Sequence, residues 1–380
     1  MEQAKVETRI KKVLAQVKRI MPTEIPFQAV VGFDGFVDRI CRLVRTRHDR
    51  RHFTPFSTMK EFGDHIISVA GKSCDLEFVT EQEKIGGNAP IMAHALSCLG
   101  VKTTLIGAAG YPEVYSVFKN LHQKCHVLSV SSPAFCYAYE FLDGKMMLAD
   151  LAVLDELDWG LIKKRISLRE LQDMFNVSSL VGFLNWSQLN QAETIWRGVL
   201  HEVYPVLEET RKRYLFVDLA DLSKKMPEEL QRVLSILEEL SGKYEVYLGL
   251  NRNETELVYA FLFGEKPLED ELEKAATCIF SRVGIEALVV HLIDESFLVS
   301  REGVIWERGE RIPQPALLTG GGDNFNAGFC LGLLMGASKR ECLLCGMFVA
   351  GFYIREGKSP TLKELASELE RVLLHEKGGS

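Results

Sequence analysis

Short apolar segments alternate with longer helical patterns along most of this chain, and few folds accommodate that order. The apolar segments are rich in Val, Leu and Ile and predict strands at 28–33, 101–106, 180–184, 214–220, 245–250 and 287–293. Helical patterns between them cover 88–99, 188–213, 227–241 and 268–283. This alternation is typical of parallel βαβ units, so we predict an α/β fold whose ligands bind at the carboxyl ends of the strands.

Two stretches depart from this alternation. Residues 136–142 and 145–148 flank the turn pair Asp143-Gly144 and predict an antiparallel hairpin. Residues 41–54 are basic and irregular. Both stretches are candidates for a lid over the main sheet.

Composition excludes several classes of protein and partner. The chain has 380 residues, 47% hydrophobic and 26% charged, with a net charge of −7, so neither nucleic acid nor a membrane is the expected partner. The longest apolar run, 327–337, is interrupted by glycines, and residues 1–20 form a charged amphipathic pattern rather than a signal peptide. Nine cysteines without a regular framework indicate a reduced, cytoplasmic protein. Cys342 and Cys345 form a CxxC pair in an apolar helical stretch, where we expect two core thiols.

The glycine-rich segment 319–329 predicts an anion site. Its consecutive glycines leave the backbone amides free to close around an anion, and the segment continues as a helix whose N-terminus favours phosphate. The glycines are Gly320, Gly321 and Gly322. Further along the same helix, Gly328 and Gly332 form a stripe that would allow close approach to a sheet.

Asp323 follows these glycines directly. A carboxylate at the mouth of an anion site can accept the proton of a hydroxyl that attacks phosphorus, while the amides stabilise the charge on the transferring group. The alternative is that Asp323 only caps its own helix, with the glycines forming a tight turn. These residues by themselves leave both interpretations open.

Two further segments are candidates for binding an acceptor molecule. Gly86 and Gly87 would let a ligand hydroxyl approach the backbone, although Asn88 as an N-cap also explains the helix that follows. Asp34 and Asp38 follow the first predicted strand, where their carboxylates either bind sugar hydroxyls or cap a turn.

Two other clusters carry oxygen ligands or positive charge. Asn253 and Glu256 share a helical face after a predicted strand, where they offer oxygens to hydrated Mg²⁺ or form a capping box. A basic cluster either clamps a phosphate on the substrate or belongs to a solvated loop. Its members are Arg39, Arg42, Arg45, Arg47, His48, Arg50, Arg51 and His52.

Taken in order, these motifs resemble those of the ribokinase-like carbohydrate kinases, over about residues 27–353. The glycine turn with Asp323 is similar to the GAGD anion hole and base of that family. The resemblance implies a three-layer α/β/α sandwich with a mostly parallel central sheet and a small β lid, often dimeric through the lid. We therefore expect residues 1–380 to form a single kinase domain, with the lid formed from parts of 39–60 and 134–150.

The same resemblance assigns roles to individual residues. The candidate substrate-binding residues are Asp34, Asp38, Gly86, Gly87 and Asn88. The candidate nucleotide-binding residues are Asn253, His291, Thr319 and Asn326. Asn253 and Glu256 correspond to the NxxE motif that the family associates with Mg²⁺.

The sequence departs from the family pattern near the nucleotide site. The family usually has Asp-Thr before the anion hole, T-x-G on the preceding strand and an Asn shortly after the GG motif. This chain has Leu317-Leu318, His291-Leu292-Ile293 and Ile91 at those places. Segments 32–38 and 86–93 are similar to the ADP-dependent sugar kinases, whereas 320–328 resembles the ATP-dependent branch.

We therefore predict a phosphotransferase that moves the terminal phosphoryl group of a nucleotide, ATP rather than ADP, to a hydroxyl of a sugar or sugar-like metabolite. Asp323 is the predicted general base, Gly320 to Gly322 hold the moving group, and Mg²⁺ is the expected cofactor. Two alternatives remain at this point. One is an ADP-dependent sugar kinase, and the other is a degenerate kinase fold that binds a metabolite and regulates another process.

Overall fold

The structure is a computed structural model that describes residues 2–21, 25–209, 211–268, 270–313, 316–317 and 319–378. Leu318, one of the departures from the family pattern, lies outside the described residues. The strands are β1 (Gln28–Phe33), β2 (Phe36–Arg47), β3 (Phe53–Pro55), β4 (Phe78–Gly86), β5 (Lys102–Gly107), β6 (Cys125–Ser129), β7 (Ala134–Phe141), β8 (Gly144–Asp150), β9 (Leu180–Leu184), β10 (Tyr214–Asp218), β11 (Glu245–Leu250), β12 (Ala287–His291), β13 (Glu295–Ser300) and β14 (Gly303–Arg308). The helices are α1 (Glu2–Ile20), α2 (Met59–Ser68), α3 (Asn88–Cys98), α4 (Trp159–Arg165), α5 (Leu168–Val177), α6 (Ala192–Gly198), α7 (Pro227–Leu240), α8 (Arg252–Phe263), α9 (Leu272–Arg282), α10 (Gly321–Met335), α11 (Lys339–Glu356) and α12 (Leu362–Gly378).

The larger sheet has nine strands in the order β14-β13-β12-β11-β10-β9-β1-β5-β6. All neighbouring pairs from β12 to β6 are parallel, while β13 and β14 add antiparallel strands at one edge. In the middle of the sheet, Val31 lies opposite Leu105 on one side and Gly182 on the other. All six predicted strands are present, although β10 ends at Asp218 because Ala220, with a φ of 56°, turns the chain away. The predicted mostly parallel α/β sheet is confirmed.

Helices cover both faces of this sheet and create two hydrophobic cores. One core contains apolar side chains of α4 to α9, among them Phe175 and Trp196. The other contains those of α1, α3, α10, α11 and α12, among them Ile10 and Phe329. Strands covered on both faces must be apolar throughout, which explains why the sequence shows continuous runs rather than alternation. The predicted α/β/α sandwich is confirmed.

The predicted helix 188–213 is broken into several short pieces. Helix α6 ends at Gly198, a single π-helical turn follows at Val199–Val203, and a 3₁₀ turn covers Tyr204–Val206. Pro205 lies in that last turn and has no N–H for a helical hydrogen bond, so the helix does not continue to residue 213.

Helix α10 packs through its glycines against α11, not against a sheet as the sequence suggested. A Cβ atom on Gly328 would lie 2.7 Å from the Cys345 carbonyl oxygen, and one on Gly332 would lie 2.8 Å from Cys342 Cα. Phe329, on another side of α10, instead packs on aromatic side chains of β10 and β11. The predicted core thiols Cys342 and Cys345 are buried and free in α11.

A smaller sheet covers the carboxyl ends of part of the larger one. Strand β2 pairs with β3, β4 and β7, and β7 and β8 form the predicted hairpin, which is confirmed. The expectation that 41–54 is irregular is wrong for most of this stretch, because β2 runs to Arg47 and β3 begins at Phe53. Its arginines alternate with buried apolar residues such as Cys41 and Leu43, a strand pattern that the basic composition obscured.

Among the described residues, no helix combines the length and the apolar composition needed to cross a membrane.

Candidate active site

An inner cavity of about 470 Å³ lies between the small sheet and the carboxyl ends of the large-sheet strands. The predicted site residues that line it are Asp38, Gly87, Asn88, His291, Thr319, Gly320, Gly322 and Asp323. An outer cavity of about 760 Å³ shares Asn251, His291 and Gly322 with the inner one. The predicted residues that line this outer cavity are Asn253, Glu256, His291, Gly321 and Gly322. The fold therefore places the glycine turn at the boundary between two cavities.

The N-terminus of α10 is formed by the glycine turn. Gly320 is the N-cap, with a φ of 90°, and no side chain caps the helix. A Cβ atom on Gly320 would lie 2.8 Å from Tyr353 Oη, and one on Gly322 would lie 3.1 Å from the His291 ring. Only glycine fits against these two side chains, and no side chain caps the amides of the first turn, so the positive end of the helix dipole can act on an anion.

Asp323 is the third residue of α10 and only 7% exposed. Its Oδ1 atom has no hydrogen-bond partner among the described residues. Burial raises the pKa of Asp323 well above its usual range, Asp218 and Asp34 add to the rise, and a hydrogen bond with the Asn88 side chain opposes it. Because no side chain caps α10, the alternative that Asp323 merely caps its helix is wrong. The site thus contains a buried carboxyl group with a strong affinity for a proton, next to a helix N-terminus that no side chain caps.

Gly86 and Gly87 make room for the side chains of two carboxylates. A Cβ atom on Gly86 would lie 2.3 Å from Asp38 Oδ1, and one on Gly87 would lie 2.7 Å from Asp34 Oδ2. The N-cap of α3 is Gly87, with a φ of 92°, and not Asn88 as the sequence suggested. Asp34 instead accepts the first two backbone amides of α3, at 2.9 and 2.8 Å.

Asp34 and Asp38 occupy different environments. Asp34 is fully buried beneath the cavity, and burial raises its pKa to about 6 against the opposing hydrogen bond from Asn185. Asp38 lines the inner cavity and is half-buried. Burial also raises the pKa of Asp38, while the nearby Lys145 and Lys84 lower it. Of these two residues, Asp38 lines the inner cavity, whereas Asp34 lies below it and supports the start of α3.

Asp218 and Glu254 belong to the site but were not predicted. Asp218, at the end of β10, accepts hydrogen bonds from Asn326 Nδ2 at 2.8 Å and from the Ala220 amide at 2.9 Å. Burial raises the pKa of Glu254 to about 8, with the charge of Asp218 adding to the effect. The available signal for Asp218 was its position at the carboxyl end of a predicted strand.

The capping box of α8 lies two residues before its predicted place. Asn251 Oδ1 accepts the Glu254 amide at 2.9 Å, and Glu254 Oε2 accepts the Asn251 amide at 2.9 Å. The assignment of Asn253 and Glu256 to this box is wrong, because β11 ends at Leu250 and the next residue becomes the cap. Asn253 is exposed, and Glu256 forms an ion pair with Arg252 at 3.8 Å.

Two predicted nucleotide-binding residues have different surroundings. His291 lines both cavities, its ring lies 5.4 Å from that of Phe325, and burial lowers its pKa to about 4, so it stays neutral. Asn326 is fully buried and directed at Asp218, and it is not among the residues that line either cavity. The structure therefore groups Asn326 with the carboxylates and not with the outer cavity.

A sequence profile of the prokaryotic ketohexokinase family matches residues 6–372 of this chain. The chain belongs to that family. A curated relative, the ketohexokinase of Haloferax volcanii, is 29% identical over 340 residues, which cover 89% of each chain. The predicted carbohydrate kinase activity and ribokinase-like family are confirmed.

Solved structures show the same fold. A probable sugar kinase from Rhizobium etli superposes with a TM-score of 0.62 at 18% identity, over 92% of this chain and 99% of its own. Adenosine kinase from Sinorhizobium meliloti gives 0.61 at 19% identity, over 92% and 100% of the two chains. Ribokinase from Arabidopsis thaliana, complexed with ribose and ATP, gives 0.60 at 14% identity, over 91% and 99%. At these identities the similarity concerns the fold alone.

In this ketohexokinase-family chain, Asn185 is a further cavity residue that the sequence analysis missed. It directly follows β9 in a left-handed conformation, with a φ of 57°. Its side-chain amide donates to Asp34 at 2.7 Å, and its Oδ1 has no partner among the described residues. Ile91, where the family usually has Asn, also lines the inner cavity. Asn185 therefore supports Asp34 at the wall of that cavity and has a buried amide oxygen without a partner among the described residues.

The four arginines of the basic cluster that lie on strand β2 of this family member are paired with glutamates. Arg39 pairs with Glu83 at 2.8 Å, and Arg42 pairs with Glu81 at 3.4 Å. The remaining strand arginines pair likewise, Arg45 with Glu61 and Arg47 with Glu77. These four arginines are ion-paired on strand β2 rather than carried on a loop. The solvated-loop interpretation does describe the rest of the cluster, His48, Arg50, Arg51 and His52, which are exposed between β2 and β3.

Proposed function

We propose that this chain transfers the terminal phosphoryl group of ATP to a hydroxyl of a ketohexose, with Asp323 as the general base. The observation that carries the proposal is the free Oδ1 atom of Asp323, buried beside the uncapped N-terminus of α10. The ketohexose comes from the family match and from the name of the Haloferax volcanii relative. A base and an anion site in contact with one cavity are what the in-line attack of a hydroxyl on a phosphoryl group requires.

The sugar occupies the inner cavity in this proposal. Asp38 and the free Oδ1 atom of Asn185 accept hydrogen bonds from its hydroxyls, and the Asn88 side chain orients the reacting group against Asp323. A neutral polyhydroxylated acceptor fits this lining, because carboxylates and amide oxygens accept hydrogen bonds that hydroxyls donate.

The nucleotide occupies the outer cavity, with its terminal phosphate at the glycine turn. The neutral ring of His291, together with Phe325, provides an apolar and aromatic wall. The amides at Gly320 to Gly322 hold the transferring group and stabilise the negative charge that develops on it. Their positive field also favours the ionised form of Asp323 and so opposes the rise in its pKa that burial causes.

Carboxylates that line the inner cavity would hold a magnesium ion together with the substrate phosphates. Glu254 is a buried carboxyl whose pKa Asp218 helps to raise, and the Oδ1 atoms of Asp323 and Asn326 lack partners among the described residues. Mg²⁺ usually keeps several waters and takes one or two carboxylates together with substrate phosphates. We therefore assign Glu254, with Asp218 behind it, to hold the hydrated ion. Bound there, Mg²⁺ would neutralise charge on the nucleotide phosphates.

The test is a turnover assay of the purified protein on D-fructose and other ketohexoses, aldohexoses and nucleosides, with ATP or ADP and Mg²⁺. The expected result is the highest kcat/KM with a ketohexose and ATP. Turnover with ADP alone would assign the chain to the ADP-dependent alternative. Binding of a sugar or nucleotide without turnover on any acceptor would support the degenerate, regulatory alternative instead.

Association of two copies through the small sheet stays a prediction, as does a cytoplasmic location. The small sheet and its hairpin expose apolar side chains, with Leu142 86% and Leu148 54% exposed. Exposed apolar groups that cluster on a sheet favour association. Light scattering of wild type and Leu148→Lys measures this directly.

A further inference from the structure

Lys145 connects the small sheet with the glycine turn. It is the second residue of β8, opposite Glu140 in the hairpin. Its Nζ atom lies 3.5 Å from Thr319 Oγ1, a residue 174 positions later that directly precedes Gly320. Side chains of a strand alternate between its faces, so Lys145 shares a face with Met147 and Ala149, which both line the inner cavity.

The hairpin that carries Lys145 is held by the small sheet and not by the glycine turn. Asp143, at its tip, accepts the Met59 amide at 2.6 Å at the start of α2. The Leu142 amide donates to the Ser57 carbonyl at 2.9 Å. These bonds fix the tip, whereas the bond from Lys145 to Thr319 is long and lies at the protein surface. Lys145 can therefore exchange Thr319 for a better acceptor without disturbing the hairpin.

Most of the charged side chains that line the inner cavity are acidic, so a phosphoryl group transferred there would require positive charge nearby. The acidic residues that line it are Asp38, Asp218, Asp221, Glu254 and Asp323, against the single lysine Lys224. A transferring phosphoryl group carries negative charge on its equatorial oxygens, and fixed positive charge next to them lowers the barrier. Lys145 brings positive charge to the edge of the glycine turn, and its field already reaches Asp38.

We propose that Lys145 is a catalytic residue that contacts the transferring phosphoryl group. This rests on the proposed kinase function. With both substrates bound, Nζ leaves Thr319 Oγ1 and donates to an equatorial phosphoryl oxygen. The sugar oxygen forms its bond to phosphorus as the bond to the leaving nucleotide oxygen breaks, and Asp323 takes the hydroxyl proton. Lys145 keeps its own proton throughout and supplies only charge and hydrogen bonds.

The experiment compares Lys145→Met and Lys145→Arg with Lys84→Met as the matched control. Lys84 is also a small-sheet lysine whose charge acts on Asp38, but it lies on β4, opposite Asp38. We expect Lys145→Met to lower kcat about 10²-fold with both KM values within about threefold, and Lys145→Arg to recover at least about a tenth of the wild-type kcat. Lys84→Met should keep kcat within about threefold of wild type.

A second measurement separates this inference from the kinase assignment. Binding of ADP with Mg²⁺, aluminium fluoride and D-fructose is titrated calorimetrically, because the fluoride complex imitates the transferring group. Lys145→Met should weaken this complex at least about tenfold and leave ADP alone unchanged. If the wild type turns over none of the sugars, the proposed function fails, and the fluoride complex then reports separately whether Lys145 contacts a bound phosphoryl mimic.

Three results would overturn the role of Lys145. The first is full kcat and unchanged fluoride-complex affinity in Lys145→Met. The second is an equal loss in Lys84→Met, which would show that both lysines act only through the charge of Asp38. The third is a loss confined to the sugar KM, which would place Lys145 in acceptor binding.

Discussion

Asn326 ties helix α10 to strand β10, through a hydrogen bond of 2.8 Å from its Nδ2 atom to Asp218 Oδ2. Asn326 follows Asp323 by three residues, so the two side chains lie on one face of the helix. The bond therefore sets the position of Asp323 relative to the carboxylate of Asp218, whose charge raises the pKa of Asp323. This hydrogen bond thus fixes the start of α10 against the carboxyl end of β10.

Replacing Asp323 tests the proposed base. Because Asp323 has a carboxyl oxygen without a partner among the described residues near the uncapped N-terminus of α10, Asp323→Asn should lower kcat by about 10² or more if Asp323 is the base. Nucleotide affinity, measured by calorimetry, should stay within about threefold of wild type, since the amides that hold phosphate are unchanged. Near-complete turnover in Asp323→Asn would remove this residue from the mechanism.

Asp38 should determine acceptor binding. Its carboxylate lines the inner cavity, and hydrogen bonds to a charged group contribute about 1.5–3 kcal/mol. Asp38→Ala should therefore raise the sugar KM about tenfold to a hundredfold and leave the nucleotide KM unchanged.

The matched controls for Asp38 are Arg45→Ala and Arg47→Ala, which remove arginines paired with Glu61 and Glu77 on the small sheet. Both should leave the sugar KM within about twofold, because these pairs are exposed. A large loss from either arginine, with none from Asp38→Ala, would mean that the acceptor already carries a phosphate.

Two glutamates of α8, Glu254 and Glu256, are alternative candidates for binding Mg²⁺. Glu254 is buried next to Asp218, whereas Glu256 is paired with Arg252. Glu254→Gln keeps the length of the capping side chain and removes its charge, so it should raise the Mg²⁺ concentration for half-maximal rate about tenfold. Glu256→Gln should change it less than twofold. A larger effect of Glu256→Gln than of Glu254→Gln would instead support Glu256 as the Mg²⁺ ligand, as the sequence predicted.

Glu254 also predicts how the stability of the ligand-free protein changes with pH. Its pKa rises from 4.5 to about 8 on folding, so the folded state binds its proton more tightly than the unfolded state. This contribution is complete below about pH 4.5 and is lost as the pH rises through about 8. Because the glutamine of Glu254→Gln cannot ionise, this variant should not lose that stability as the pH rises.

The measurement is the melting temperature of wild type and Glu254→Gln between pH 5 and pH 8.5. We expect the wild type to fall relative to the variant by about 5 °C or more across this range. Glu256→Gln, treated identically, should follow the wild type. Parallel curves for wild type and Glu254→Gln would show that Glu254 does not take up a proton on folding.

Local patterns in the sequence were sufficient for the fold class and for the glycine turn before Asp323. The apolar runs predicted six strands of the larger sheet, and Asp143-Gly144 predicted the hairpin. The turn before Asp323 was predicted because consecutive glycines before an apolar helix depend only on neighbours in the chain. Such features are encoded within a few residues and survive in any α/β arrangement of this kind.

Other parts of the site depend on residues far apart in the chain. Asp218 and Asn326 are 108 positions apart, and Asp34 and Asn185 are 151 positions apart, yet each pair forms a buried hydrogen bond. Nothing next to Asp34 in the sequence shows that it supports α3 while Asp38 faces the cavity.

Burial and pairing depend on the same long-range packing. From the sequence, the arginines of β2 were candidates for binding an anion. In the folded chain, glutamates of β4 and α2 lie beside them and pair with them. The pKa of Glu254 rises only because the folded chain removes water and brings Asp218 near. The sequence by itself determined the strands of the parallel sheet and the glycine turn that precedes Asp323. Tertiary structure decided which carboxylates are free to act, because desolvation and charge pairing exist only once distant segments meet.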